Sequence, residues 1–203
     1  MTDMYKDTDF SRHWAQCELG ASLHPDDEPF LNMDKWLAKS MQKIGSHVRV
    51  PASFQTEYPA SPFDGPINKA KLVLCLANPN YENLDKSTIN RIVREQRCGE
   101  ADLPKEWDAF YEKKIARPLN LTMDKLRRFT AVINLCPYAS SPYMGASEMR
   151  LAAGLPSVWA AQKFLREELI PRAKKKEIYL VFTRKHQLWG VHEGFESSNI
   201  LIS

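Results

Sequence analysis

Lys71-Leu-Val-Leu-Cys-Leu-Ala77 runs directly into Asn78-Pro79-Asn80-Tyr81. An apolar run without alternation reads as a strand covered on both faces, as in parallel sheets. Asn-Pro-Asn is turn chemistry that cannot continue a strand, so the run delivers Asn78 to the strand's carboxyl end, where ligands of open α/β sheets gather. The pattern returns twice. Phe129-Thr-Ala-Val-Ile133 leads into Asn134-Leu-Cys-Pro-Tyr138, and Ile178-Tyr-Leu-Val-Phe182 leads into Thr183-Arg184-Lys185-His186. Between these runs, helical character is predicted over 87–97, 105–114 and 157–173, the last opened by Pro156-Ser157 and closed by Pro171. Strands alternating with helices imply a parallel α/β sheet.

With 203 residues and 43% hydrophobic composition the chain supports one substantial core, so a single domain over 1–203 is expected. No apolar run approaches the roughly 18 residues of a membrane span, and the polar N-terminal stretch has no signal-peptide pattern, which makes the cytoplasm the default location. Cys17, Cys75, Cys98 and Cys136 lie far apart and read as reduced thiols rather than metal ligands, so no metal is expected. None of the eight glycines has Walker or dinucleotide spacing, which argues against a nucleotide cofactor, and no cofactor is expected. No nucleophile elbow surrounds Ser140, Ser141 or Ser147, so acyl transfer is a poor fit.

The formal charge of +3 conceals an asymmetry: residues 1–30 hold seven acidic side chains against two basic ones, and the remainder is strongly basic. Arg91, Arg94, Arg97, Arg117, Lys125, Arg127 and Arg128 precede the second strand. Such a cluster is either the footprint of a polyanion such as DNA or a solvated helix face. Residues 1–60 are expected to form a helical cap, with Trp14, Phe30, Trp36, Leu37, Met41 and Ile44 as its apolar contacts and helical spacing over 34–44. Pro51, Pro59, Pro62 and Pro66 then make an extended lead into the first strand.

The segment from Pro62-Phe63-Asp64-Gly65-Pro66 through Leu72 to Tyr81, followed by Val132-Ile-Asn-Leu-Cys-Pro-Tyr138, resembles the uracil-DNA glycosylase superfamily. The similarity is nearest to its single-strand-selective and mismatch-specific branches, which carry a Gly-x-Asn-Pro-Gly loop after the first strand, and to related bacterial proteins of unassigned function. In the single-strand-selective branch an Asn-Leu-Cys-Pro segment follows a later strand. The resemblance implies a three-layer α/β sandwich with a central, mostly parallel four-stranded sheet flanked by helices. It also implies hydrolysis of the N-glycosidic bond of a uracil or modified pyrimidine flipped out of single-stranded or locally opened DNA.

On that resemblance Asn78 is the catalytic residue, orienting the attacking water. Asn134 reads the base edge, because a carboxamide offers a donor and an acceptor side by side. Tyr81 or Tyr138 stacks on the ring, and the Asn78-Pro79-Asn80-Tyr81 turn contributes backbone amides. The family's His-Pro-Ser loop has no counterpart in Asn199-Ile-Leu-Ile-Ser203, which leaves His186 or His192 as the imidazole nearest to that role. Each residue also has a structural reading: Asn78 and Asn134 as loop-satisfying amides, Tyr81 and Tyr138 as loop packing, Thr183-Arg184-Lys185 as solvated surface. The alternative function is a non-catalytic member of the fold that binds DNA, a nucleotide or a protein partner.

Overall fold

The computed structural model describes residues 7–43, 51–81, 84–118, 120–140, 144–183, 185–195 and 197–202. Of the residues singled out above, Ile44, Ser141, Arg184 and Ser203 lie outside them. The three apolar runs form strands β2 (Leu72–Leu76), β3 (Thr130–Asn134) and β4 (Tyr179–Phe182), joined by β1 (Phe63–Asp64) and β5 (Ile200–Ile202). The sheet order is β1-β3-β2-β4-β5. All neighbours are parallel except β1, which pairs antiparallel with β3 through Phe63 opposite Ile133 and Asp64 opposite Val132. The sheet therefore has five strands rather than four, the addition being a two-residue edge too short to carry a periodicity.

Side chains alternate between two cores. Val73, Cys75, Ala131, Ile133, Leu180 and Phe182 face one side. There they meet α1 (Asp9–Ala15) and α7 (Pro156–Phe164), with Phe10 stacked on Phe164 at 4.9 Å between ring centroids. Leu74 and Val132 face the other side, with Tyr111 of α4 (Asp108–Tyr111) and Leu126 of α5 (Met123–Phe129). Burial on both faces explains why β2 and β3 read as unbroken apolar runs, while the second face of β4 and β5 is only partly covered, with Tyr179 and Leu201 exposed. The remaining helices are α2 (Glu28–Lys43), α3 (Lys86–Gln96), α6 (Ala146–Ala152) and α8 (Ile170–Lys174).

Two expectations need correction. Pro171 does not end the helix that begins at Pro156: a π turn over Leu165–Leu169, closed by Ile170 N–H donating to Leu165 O five residues back, inserts an extra residue, and α8 then carries Pro171 in its first turn. A proline there withholds a donor that a first turn does not use. In α2 the buried stripe is Leu31, Asp34 and Ala38, whereas Phe30 and Trp36 are exposed, Trp36 by 64%. Trp14 does reach the core as expected, joined by Phe10, Cys17 and Leu31. Among the described residues no helix is long and apolar enough to cross a membrane.

Candidate functional site

The carboxyl ends of β2 and β3 stay paired beyond the strands. Leu76 lies opposite Asn134, Leu135 N–H donates to Leu76 O at 3.0 Å, and Cys136 N–H donates to Ala77 O at 2.9 Å. The two loops named from sequence therefore start side by side. The Asn78 Nδ2 group faces three acceptors, Pro79 O at 3.1 Å, Ser140 Oγ at 3.0 Å and Tyr138 O at 3.4 Å, and so ties its own turn to the loop after β3.

Asn78, Pro79 and Asn80, with Ser140, Thr183 and Lys185, line the polar end of a cavity of about 870 Å³. The rest of the cavity runs along the second sheet face over Leu72, Leu74, Leu76, Val181 and Leu201 to the exposed rings of Phe110, Phe129 and Tyr179. All four charged residues on its lining, Lys71, Lys114, Lys125 and Lys185, are lysines. Lys185 adopts φ +50°, unusual for a side chain of its size, and its ammonium donates to Met144 O. Asn80 does not occupy the left-handed region.

Asn134 is placed differently. It is 2% exposed and absent from that cavity's lining. Its N–H donates to Pro62 O at 2.9 Å and its Nδ2 to Ser61 O at 3.0 Å, while Oδ1 is buried without a hydrogen-bond partner. Tyr81 is also buried, with its ring against Tyr58 and Trp107 at 5.4 and 6.4 Å, and its hydroxyl completes no well-formed hydrogen bond although the Ser61 hydroxyl lies near it. Tyr138 packs on Phe54, and its hydroxyl donates to Asp27 Oδ2 at 2.6 Å and accepts from His24 N–H at 3.1 Å, so packing accounts for it. His186 is half-buried at the start of a 3-10 turn, His186–Trp189, and does not line the Asn78 cavity.

Sequence reasoning missed Ser61 and Asp64 as site residues. Both are buried, Ser61 on the lead into β1 and Asp64, at 7% exposure, within it. Gly65 puts them there: at φ +87° it passes so close to β3 that an added Cβ would stand 2.4 Å from Thr130 O. Burial pushes the Asp64 carboxyl up to about 7, against a smaller opposing effect of the neighbouring Ser61 hydroxyl. The same hydroxyl lies beside the Tyr81 phenol, which burial pushes above its ordinary range. An acid set between Phe63 and Gly65-Pro66 was the available signal.

Elsewhere His13, His24 and Asp26 bring ligand-type atoms within 4.8 Å of one another. Both His24 nitrogens are already engaged: Nδ1 accepts from Asp26 N–H at 3.1 Å and Nε2–H donates to His13 O at 2.9 Å. That arrangement fits a structural node better than a cation site. The thiols of Cys17, Cys75 and Cys136 are buried, and burial pushes all three up, as inert core thiols require.

The chain matches no protein-family model, no curated protein and no solved structure.

Proposed function

We propose that this protein is a DNA N-glycosylase of the uracil-DNA glycosylase kind, a hydrolase that removes a flipped uracil or modified pyrimidine. The observation that carries the reading is Asn134 Oδ1, a buried acceptor left unanswered at the carboxyl end of β3, beside the Asn78 turn. A buried polar atom without a partner needs a reason, and the N–H edge of a pyrimidine supplies one. The parallel order β3-β2-β4-β5 brings four carboxyl ends to the same edge, which supports a site assembled there.

In this reading Asn78, fixed by its contacts with Pro79, Tyr138 and Ser140, orients a water toward the sugar carbon. Water oxygen bonds to that carbon, the carbon–nitrogen bond breaks, its electron pair leaves with the base, and the water proton is released. The lysines lining the cavity give the electrostatics a phosphate backbone needs. Single-stranded oligonucleotides carrying uracil, hydroxymethylated cytosine or glucosylated cytosine test the proposal under single-turnover conditions. Alkali-labile abasic sites are expected with one of these bases, abolished by Asn78→Ala with binding largely retained, and absence of cleavage across the whole panel rejects it.

One observation favours the second reading, a non-catalytic nucleic-acid binder: Asn78 lines the cavity and Asn134 does not. That reading expects no cleavage of any base, with salt-sensitive binding that weakens when Lys71, Lys114 and Lys125 are replaced.

A further inference from the structure

We propose that Asp64 is a positioning residue of this site: acting through Ser61, it sets the arrangement of the Tyr81 hydroxyl and the Asn134 carboxamide according to whether its carboxyl holds a proton. The inference rests on the glycosylase reading for its purpose, and on the following geometry for its substance.

One short segment touches both loops. Ser61 N–H donates to Pro137 O at 2.9 Å, Ser61 O accepts Asn134 Nδ2 at 3.0 Å, and Pro62 O accepts Asn134 N–H at 2.9 Å, so residues 61–62 are stitched to the loop after β3. The Ser61 hydroxyl lies beside the Asp64 carboxyl and the Tyr81 phenol, and Tyr81 closes the Asn78 turn. Ser61, Asp64, Tyr81 and Asn134 are each more than nine-tenths buried. Within this group Asn134 Oδ1 has no hydrogen-bond partner, and the Ser61 hydroxyl and the Tyr81 phenol lie near enough to interact without completing a well-formed hydrogen bond. Such an unfinished set differs from an ordinary core network, in which buried polar groups are matched.

The proton on Asp64 changes what the set can do. An ionised carboxylate only accepts, and turns the Ser61 O–H toward itself; a protonated one donates to Ser61 Oγ and releases that O–H toward Tyr81 or a ligand carbonyl. The titratable groups that feel Asp64 are Tyr81, after β2, and Tyr111, on α4. Both are buried phenols pushed above their ordinary range, and the α3 side chain nearest the segment, Gln96, is neutral and accepts from Gly65 N–H. Asp64 is thus the group of the cluster that changes charge near neutrality, since burial lifts it to about 7.

The test is an NMR titration of the full chain from pH 5 to 9 without nucleic acid, following the Asp64 carboxyl carbon and the Asn134 side-chain amide. Both resonances are expected to shift with one midpoint, near pH 7. In Asp64→Asn the Asn134 shift should vanish. Ser61→Ala, which removes only the hydroxyl, should leave Asp64 titrating while Asn134 no longer follows. An Asp64 midpoint in the ordinary carboxylate range, an unmoved Asn134 amide, or an Asn134 amide that still follows Asp64 in Ser61→Ala overturns the proposal. Because no substrate enters this measurement, coupling without base release would retain the Asp64 assignment and discard the glycosylase reading.

Discussion

Two buried aspartates sit on opposite sides of the β3 loop, and their surroundings differ in completeness. Asp27 is met by Tyr138 O–H at 2.6 Å, by Ser157 N–H at 3.0 Å and by the Ser157 hydroxyl. Asp64 lies in a group whose hydroxyls and amide oxygen are left unmatched. The completed network joins the segment before α2, the start of α7 and Tyr138, holding the loop from the first-face side. The incomplete one lies at the carboxyl ends of β2 and β3. Unpaired Nε2 of His13 and Nε1 of Trp14 border the Asp27 group, but its carboxylate itself is fully served. Satisfied buried polar groups specify a structure, and unsatisfied ones point to a task.

The sharpest way to break this contrast is Asp27→Ala. It leaves three buried donors without an acceptor, and at ~1–3 kcal/mol for each the expected loss is roughly 5 kcal/mol in urea unfolding. A loss under about 1 kcal/mol would show that Asp27 is not the structural partner of the pair.

Next in size is Asp64→Asn. The folded carboxyl titrates at about 7 against 3.8 in the unfolded chain, so the native state binds the proton more tightly. Its stabilising effect is complete below the unfolded value and disappears as pH rises through the window to about 7, an effect of about 4 kcal/mol at 1.36 kcal/mol per unit. Asparagine should flatten that slope and raise Tm above pH 7. The other region has the opposite signature. His13 is held below its ordinary 6.5, chiefly by burial and then by His24, so its contribution is present above 6.5 and lost on acidification below it. His13→Gln should remove this acid-side loss without touching the Asp64 slope.

Gly65→Ala comes third. Its Cβ collides with Thr130 O at φ +87°, and the expected loss is roughly 3 kcal/mol in thermal unfolding, with the Asp64 titration displaced toward the ordinary carboxylate range as the segment leaves β3. The smallest effect is expected for Asn78→Ala, about 1 kcal/mol, because its amide bonds two partly exposed loops. A loss as large as that of Asp27→Ala would make Asn78 a structural tether rather than a site residue.

Much of the sheet was legible because β2 and β3 are apolar and largely buried on both faces, and β4 is apolar on both although Tyr179 is exposed: the runs at 72–76, 130–134 and 179–182 needed no tertiary information. The loops that follow them were legible for the same reason, since Asn78-Pro79-Asn80 and Asn134-Leu-Cys-Pro interrupt apolar runs. Ser61 carried no local signal, and Asp64 only its place between Phe63 and Gly65-Pro66, because their burial depends on the close approach between Gly65 and Thr130. Trp36 and Phe30 misled for the converse reason. Large apolar side chains suggest a core, yet the stripe α2 buries is set by Leu31, Asp34 and Ala38.

Cys98 is exposed at the end of α3, two residues beyond Gln96, while the other three thiols are sealed in the interior. Maleimide chemistry should therefore label this position selectively in the native protein. A fluorophore attached there would sit close to the Gln96–Gly65 contact and give an optical readout of that part of the molecule.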